Sequence, residues 1–182
     1  MAFDESFGNV VGIEGRYSDN PADSGGPTMY GITLRVARAN GYQGEMKLMP
    51  LSAAKAIYRT IYWDRLKLDM VSNIAGARVA DELFDTGVNQ GPVAAATYLQ
   101  RSLNVLNQTA VLYADIPVDG DIGNLTIEAL RSLFRRRGQE GATVLLRMLN
   151  ALQGTSYIEL AERRAKDEIF VYGWFKNRVV MA

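Results

Sequence analysis

The sequence predicts a mainly α protein with a short loop or hairpin lobe near the N-terminus and a helical subdomain at the C-terminus. Three observations point there. Apolar residues recur at spacings of three and four through most of the 182 residues, as on helix faces. Sustained alternation of period two, the mark of a large sheet, is absent. Hydrophobic residues make up 48% of the chain, enough for a substantial core in one domain or two small ones.

The elements follow in order. Phe3, Phe7, Val10 and Val11 give helical spacing over 3–13. Residues 14–32 crowd Asp, Asn, Pro and Gly together, as in an ordered loop or short hairpin. Thr33 can cap a helix that stops at Asn40-Gly41. Ser52 is expected to cap the next, which carries Ala54, Ile57, Tyr58 and Ile61 and runs to Trp63. A third helix is expected over 72–86, ending at Gly87. Pro92 opens a fourth as a first-turn proline, with Ala96, Leu99, Leu103 and Leu106 on one stripe.

Residues 107–123 form the clearest interruption, which divides the chain into expected domains of 1–105 and 106–182. Three more helices are expected beyond it. They cover 124–137, 140–153 ending at Gly154, and a stretch from Ser156, where Ser156 and Glu159 have capping-box spacing.

Composition excludes several kinds of chemistry. Basic and acidic residues balance at 20 each, unlike the basic excess of nucleic-acid binders. No apolar run approaches the ~20 residues of a membrane span. The N-terminal Met-Ala-Phe-Asp-Glu-Ser lacks the basic start and apolar core of a signal peptide. Synthesis in a bacterial cytoplasm is therefore expected. There is no cysteine and no histidine, which removes disulfides, cysteine nucleophiles, Ser-His-Asp triads and the usual zinc sites. Catalysis, if present, falls to carboxylates, hydroxyls, Lys or Tyr, and no metal or organic cofactor is called for.

Glu14 ends the first apolar helix pattern, in Val10-Val11-Gly12-Ile13-Glu14-Gly15-Arg16-Tyr17. A carboxyl beside apolar residues is desolvated and holds its proton to higher pH. Asp23 lies nine positions later in a polar loop that favours its ionised form. Two carboxyls in opposed environments suit glycoside hydrolysis, in which one protonates the leaving oxygen and the other is charged.

The stretch from Glu14 to Thr33 adds much more. It contains Glu14-Gly15-Arg16-Tyr17, then Pro21-Ala22-Asp23-Ser24-Gly25-Gly26-Pro27-Thr28, then Gly31-Ile32-Thr33. It resembles the signature of the glycoside hydrolase family 108 muramidases of phage endolysins and secretion-associated lysozymes. Arg16 departs from that pattern, standing where the family usually has a second glycine. Phe84-Asp85-Thr86-Gly87-Val88-Asn89-Gln90-Gly91-Pro92 resembles the family's second segment. Val118-Asp119-Gly120-Asp121-Ile122-Gly123-Asn124 and Gly173-Trp174-Phe175-Lys176-Asn177-Arg178-Val179 resemble the peptidoglycan-binding segment that follows it. Asp119 and Asp121 also begin like a calcium loop, but Gly123 and Leu130 fall at its fifth and twelfth ligand positions, so no metal site is expected.

The resemblance implies a lysozyme-like helical fold and hydrolysis of the β-1,4 bond between N-acetylmuramic acid and N-acetylglucosamine. It assigns Glu14 as the acid and Asp23 as the group that orients water or stabilises the transition state. Thr28 would help hold that water. The spacing is similar to that of phage-type lysozymes, although Thr28 is one position closer to Asp23 than in their pattern. Tyr17, Tyr30 and Asn89 are the candidate substrate contacts, with Asn89 either bonding sugar or fixing its loop. The expected partner is the peptidoglycan glycan strand, met by a monomer in host lysis. A holin or other export partner would bring the protein to the periplasmic wall. A lytic transglycosylase and a non-catalytic wall-binding protein are the alternatives.

Overall fold

The structure, a computed structural model, describes residues 2–13, 17–19 and 26–179. It is a mainly helical, lysozyme-like arrangement with a small hairpin lobe near the N-terminus. In order come α1 (Ala2–Ile13), β1 (Thr28–Met29), β2 (Ile32–Thr33), α2 (Leu34–Ala39) and α3 (Leu51–Tyr58). A π-helical stretch, Arg59–Asp64, leads to α4 (Leu68–Ala75), α5 (Ala77–Gln90) and α6 (Pro92–Leu106). The chain closes with α7 (Asn124–Arg163) and α8 (Glu168–Asn177). Among the described residues, no helix is long and apolar enough to cross a membrane.

The first helix is oriented by an aromatic cluster. Phe3, Phe7 and Val10 fall on one face of α1 and are all buried. Phe3 meets Trp63 edge-on at 5.3 Å between ring centroids, and Phe7 meets Tyr58 at 5.5 Å. Phe84 of α5 completes the cluster, 5.6 Å from Trp63. Such pairs contribute about 0.5–1.5 kcal/mol each beyond the area they bury. The buried indole also donates to Asp69 Oδ1 at 2.9 Å, so no polar atom is stranded in the ring stack. Apolar burial is continuous from this cluster through Leu99 and Leu103 of α6 to Leu130 and Leu145 of α7.

Several expected helix ends hold. Thr33 caps α2, with its Oγ1 accepting from Val36 N at 3.3 Å, and Asn40 closes that helix. Pro92 is the first residue of α6. Others differ. Ser52 does not cap α3: the helix starts one residue earlier, and the Pro50 carbonyl accepts from Ala53 N at 3.0 Å. Gly87 does not end a helix. The break falls at Gly76, whose φ of 88° suits only glycine at low cost, and α5 then runs to Gly91.

Gly154 and Ser156 likewise lie inside α7, whose one non-helical residue is Gly138. These interior glycines answer to crowding. A Cβ on Gly87 would come within 2.9 Å of Leu66 Cδ1, and one on Gly154 within 3.2 Å of Phe175 Cε1.

The connection between α6 and α7 is held by amide side chains on one face of α6. Gln100 donates to Asp119 Oδ1 at 2.7 Å and to the Asp121 carbonyl at 2.8 Å, and accepts from Gly120 N at 2.9 Å. Asn104 donates to the Ile116 carbonyl at 2.8 Å and accepts from Ile116 N at 2.9 Å. Asn107 donates to Asp115 Oδ1 at 2.6 Å. The Asp-Gly motif is thus a docked turn, and the Asp119 carboxyl is held below the usual range, first by its bond from Gln100. Arg131, Arg135, Arg136 and Arg137 are exposed on α7, with Arg131 facing Glu128 three residues back.

Candidate active site

Glu14, Arg16 and Asp23 lie outside the described residues. Glu14 is the first residue after α1, whose packing is fixed by Phe3, Phe7 and Val10. The stretch containing Asp23 is closed at its base by an antiparallel bridge. Ser18 N donates to the Thr28 carbonyl at 2.9 Å, and Thr28 N donates to the Ser18 carbonyl at 2.8 Å.

Thr28 begins β1 and pairs across the hairpin with Thr33. Its hydroxyl donates to the Gly26 carbonyl at 3.3 Å, so the oxygen keeps lone pairs with which to accept a bond from water. Tyr30 and Gly31 form the turn, with φ of 52° and 75°. Positive φ at both central residues is what a tight two-residue hairpin requires, and the second is met by glycine. Tyr30 takes the strained position, and its carbonyl accepts from Tyr58 OH at 2.9 Å. That bond ties the hairpin to the aromatic core. Tyr17 is exposed beside the bridge, and its hydroxyl donates to Asp19 Oδ2 at 3.2 Å. Lost hydration and the Asp19 charge together raise its pKa.

Tyr17, Thr28 and Tyr30 therefore share one small lobe. Asn89 belongs to a different group. It sits on the last turn of α5, and its Nδ2 donates to the Asp85 carbonyl at 2.8 Å and to Asp85 Oδ1 at 3.1 Å. Its amide N–H groups are engaged within its own helix.

Asp85 is the hub of that group. Arg178 donates to Asp85 Oδ1 at 2.7 Å, with the guanidinium only 8% exposed. Gln153 of α7 donates to Asp85 Oδ2 at 2.8 Å and to Thr86 Oγ1 at 3.1 Å. The second segment and the closing motif, distant in sequence, thus meet in one part-buried ion pair.

Beside it opens a pocket of about 240 Å³ between α1, α5, α7 and the residues after α8. Ser6, Asn9, Asp81, Glu82, Asn150 and Arg178 line it. Ser6 Oγ donates to Asp81 Oδ1. Glu82 is buried, and Thr86 Oγ1 lies 3.5 Å from its Oε1. Burial first, and then the Asp85 charge, raise its pKa to about 8, against smaller opposing effects from Thr86 and Asn150. Burial also raises Asp81.

Glu82 was not singled out from sequence. The available signal was its register: it falls on the buried stripe of α5 with Val79, Leu83 and Thr86. A carboxyl on such a stripe is either paired or protonated.

A group whose folded pKa lies above its ordinary value takes up protons on folding. Stability from Glu82 is therefore fully present below pH 4.5 and is lost as pH rises toward 8. Glu82→Gln, which carries no charge at any pH, is expected to melt higher than wild type at pH 9. The difference should shrink to nothing near pH 4.5. Thermal melts across that range check this, and a pH-independent difference would contradict it.

Residues 7–91 match the model for glycosyl hydrolase 108, and residues 94–179 match the predicted peptidoglycan domain. No match is found among curated proteins. Among solved structures, the chain is similar to Brucella abortus SagA at 25% identity and a TM-score of 0.69, covering 97% of this chain and 88% of that one. The first match contains Glu14, Asp23, Thr28 and Asn89, and the second contains Asn150, Gln153 and Arg178. Residues 7–91 therefore carry a glycosyl hydrolase 108 domain and residues 94–179 a predicted peptidoglycan domain, a pairing that supports a glycoside hydrolase acting on peptidoglycan.

Proposed function

We propose that this chain is an N-acetylmuramidase that hydrolyses the β-1,4 bond between N-acetylmuramic acid and N-acetylglucosamine. Glu14 protonates the leaving oxygen. Asp23 orients the attacking water or stabilises the oxocarbenium-like transition state, and the Thr28 hydroxyl accepts a bond from that water. Tyr17 and Tyr30 contact the sugar from the hairpin lobe. The observation that carries this reading is the ordered series from Glu14 to Thr33, ending in a hairpin whose bridge and turn hold Thr28 and Tyr30 in place. The Asn89 amide is taken up by Asp85, which favours the loop-fixing role for that residue.

In this reading the protein acts as a monomeric endolysin. It is made in the host cytoplasm and reaches the periplasmic wall through a holin or other release partner. Its second half holds the wall while the first half cuts.

The product distinguishes the chemistries. Mass spectrometry of digested wall should find ordinary reducing muramic ends, because water attacks the anomeric carbon. Anhydromuramic ends would overturn hydrolysis and make the enzyme a lytic transglycosylase. Proton NMR of fresh product should show the α-anomer first, as an inverting enzyme gives. An initial β-anomer would mean retention.

A further inference from the structure

The pocket beside Asp85 has an unusual balance of hydrogen-bonding groups. Arg178 is committed to Asp85, so that pair adds little net charge. The Asp81 carboxyl and the side-chain carbonyl of Asn150 face the space as acceptors, and Glu82, protonated near pH 7, becomes a third when an arriving cation displaces its proton. Asn150 is 1% exposed. Its Nδ2 donates to the Leu146 carbonyl at 3.0 Å, but its Oδ1 has no partner among the described residues. A buried carbonyl without a donor is costly unless a ligand supplies one.

The missing ligand must therefore donate. An anion is repelled by the carboxyls. A metal is disfavoured, since no group of three ligating side chains is suitably placed among the described residues. A neutral hydroxyl could donate to Asn150 Oδ1 but would leave the Asp81 carboxyl without a counter-charge. A primary ammonium supplies three donors and one positive charge. A volume of about 240 Å³ admits an aminoalkyl chain, and Arg78 also lines the space. Arg78 is exposed and is the cation at this pocket that pairs with no carboxylate among the described residues, so it is the group here that suits a carboxylate carried by the same ligand.

We propose that this pocket binds the free amine of the diamino acid in the peptide stem of peptidoglycan, with Glu82, Asp81 and Asn150 Oδ1 as acceptors and Arg78 for the adjoining carboxylate. The assignment rests on the reading of the chain as a peptidoglycan muramidase. Geometry favours it. Ser6 and Asn9 line the pocket from α1, the helix that Glu14 follows in the sequence. A stem hangs from muramic acid at the bond to be cut, and three extended residues span about 10 Å. The pocket then selects wall whose stems are not cross-linked through that amine.

Binding has a proton signature. Glu82 faces Asp81, Asp85 and Arg78 on its own helix, Tyr157 on α7 and Arg178 after α8, while Glu5 on α1 lies near Asp81. An arriving ammonium favours the ionised carboxyl, so Glu82 releases its proton on binding near pH 7.

The test compares native wall with wall whose free amines have been acetylated, following release of reducing ends. Acetylation should raise the apparent KM of wild type about tenfold, with kcat within about twofold, as the loss of one charge-assisted contact set predicts. Glu82→Gln should show the same rise on native wall and no further rise on acetylated wall. Calorimetry of wild type with a synthetic stem tripeptide ending in a diamino acid should show binding with proton release, read from buffers of different ionisation enthalpy. The acetylated tripeptide should not bind.

Equal KM on both walls for wild type would overturn the proposal. If acetylation matters but the tripeptide does not bind, the amine belongs to deacetylated glycan and the stem assignment is wrong. Binding of the tripeptide with no reducing ends from either wall would sink the muramidase reading and leave the pocket assignment standing.

Discussion

Glu14→Gln is expected to lower the rate of wall hydrolysis by about 10²–10⁴ while the protein stays folded. Glutamine nearly matches glutamate in shape but has no acidic proton to give to the leaving oxygen. The helix that precedes residue 14 is held by Phe3, Phe7 and Val10, none of which the substitution touches. Circular dichroism should be unchanged and reducing-end release nearly abolished. More than a tenth of wild-type activity in the folded variant would remove Glu14 as the acid. Asp23→Asn is the natural companion: it keeps hydrogen bonding but loses charge, so its loss should be severe yet smaller.

Asp85→Ala should have the largest effect on stability. It removes the carboxylate that accepts from Arg178, whose side chain is 8% exposed, from Gln153 and, in one bond, from Asn89. Losing a part-buried charge pair together with the bonds from Gln153 and Asn89 costs on the order of 3 kcal/mol. In a chain of this size that lowers Tm by on the order of 10 °C. The double variant Asp85→Ala/Arg178→Met should melt higher than the sum of the single losses predicts, since it leaves no orphaned charge. Strictly additive losses would mean that the pair is not coupled.

Much of the helical layout was legible because burial imposes a period. Phe3, Phe7 and Val10 announce α1, and Leu99 and Leu103 announce α6. Glycines were harder. The same residue serves at Gly76 for its positive φ and at Gly87 or Gly154 for lack of a side chain, and only the first purpose ends a helix. Leu66 and Phe175, the neighbours that demand those gaps, are remote in sequence, so no local pattern shows them.

The same contrast divides the site. Thr28 and Tyr30 stand in a short ordered signature, and the hairpin is local. Glu82 depends on Asn150 from a distant helix and on the desolvation that the assembled protein creates. The register of Glu82 marks it as buried, but the desolvation that raises its carboxyl to about 8 comes only with the assembled protein.

The amide-studded face of α6 has a consequence for how the two halves work together. Gln100 and Asn104 grip the main chain of the passage that joins them, much as a neighbouring strand would, and Asn107 accepts from Ala110 N and donates to the Asp115 carboxylate. That passage is a splint and not a tether. A half that holds wall on a tether could search for new sites while the other half cuts. On the proposed function, grip and cut would then keep one fixed offset, and each advance along a glycan would require the whole molecule to let go and land again.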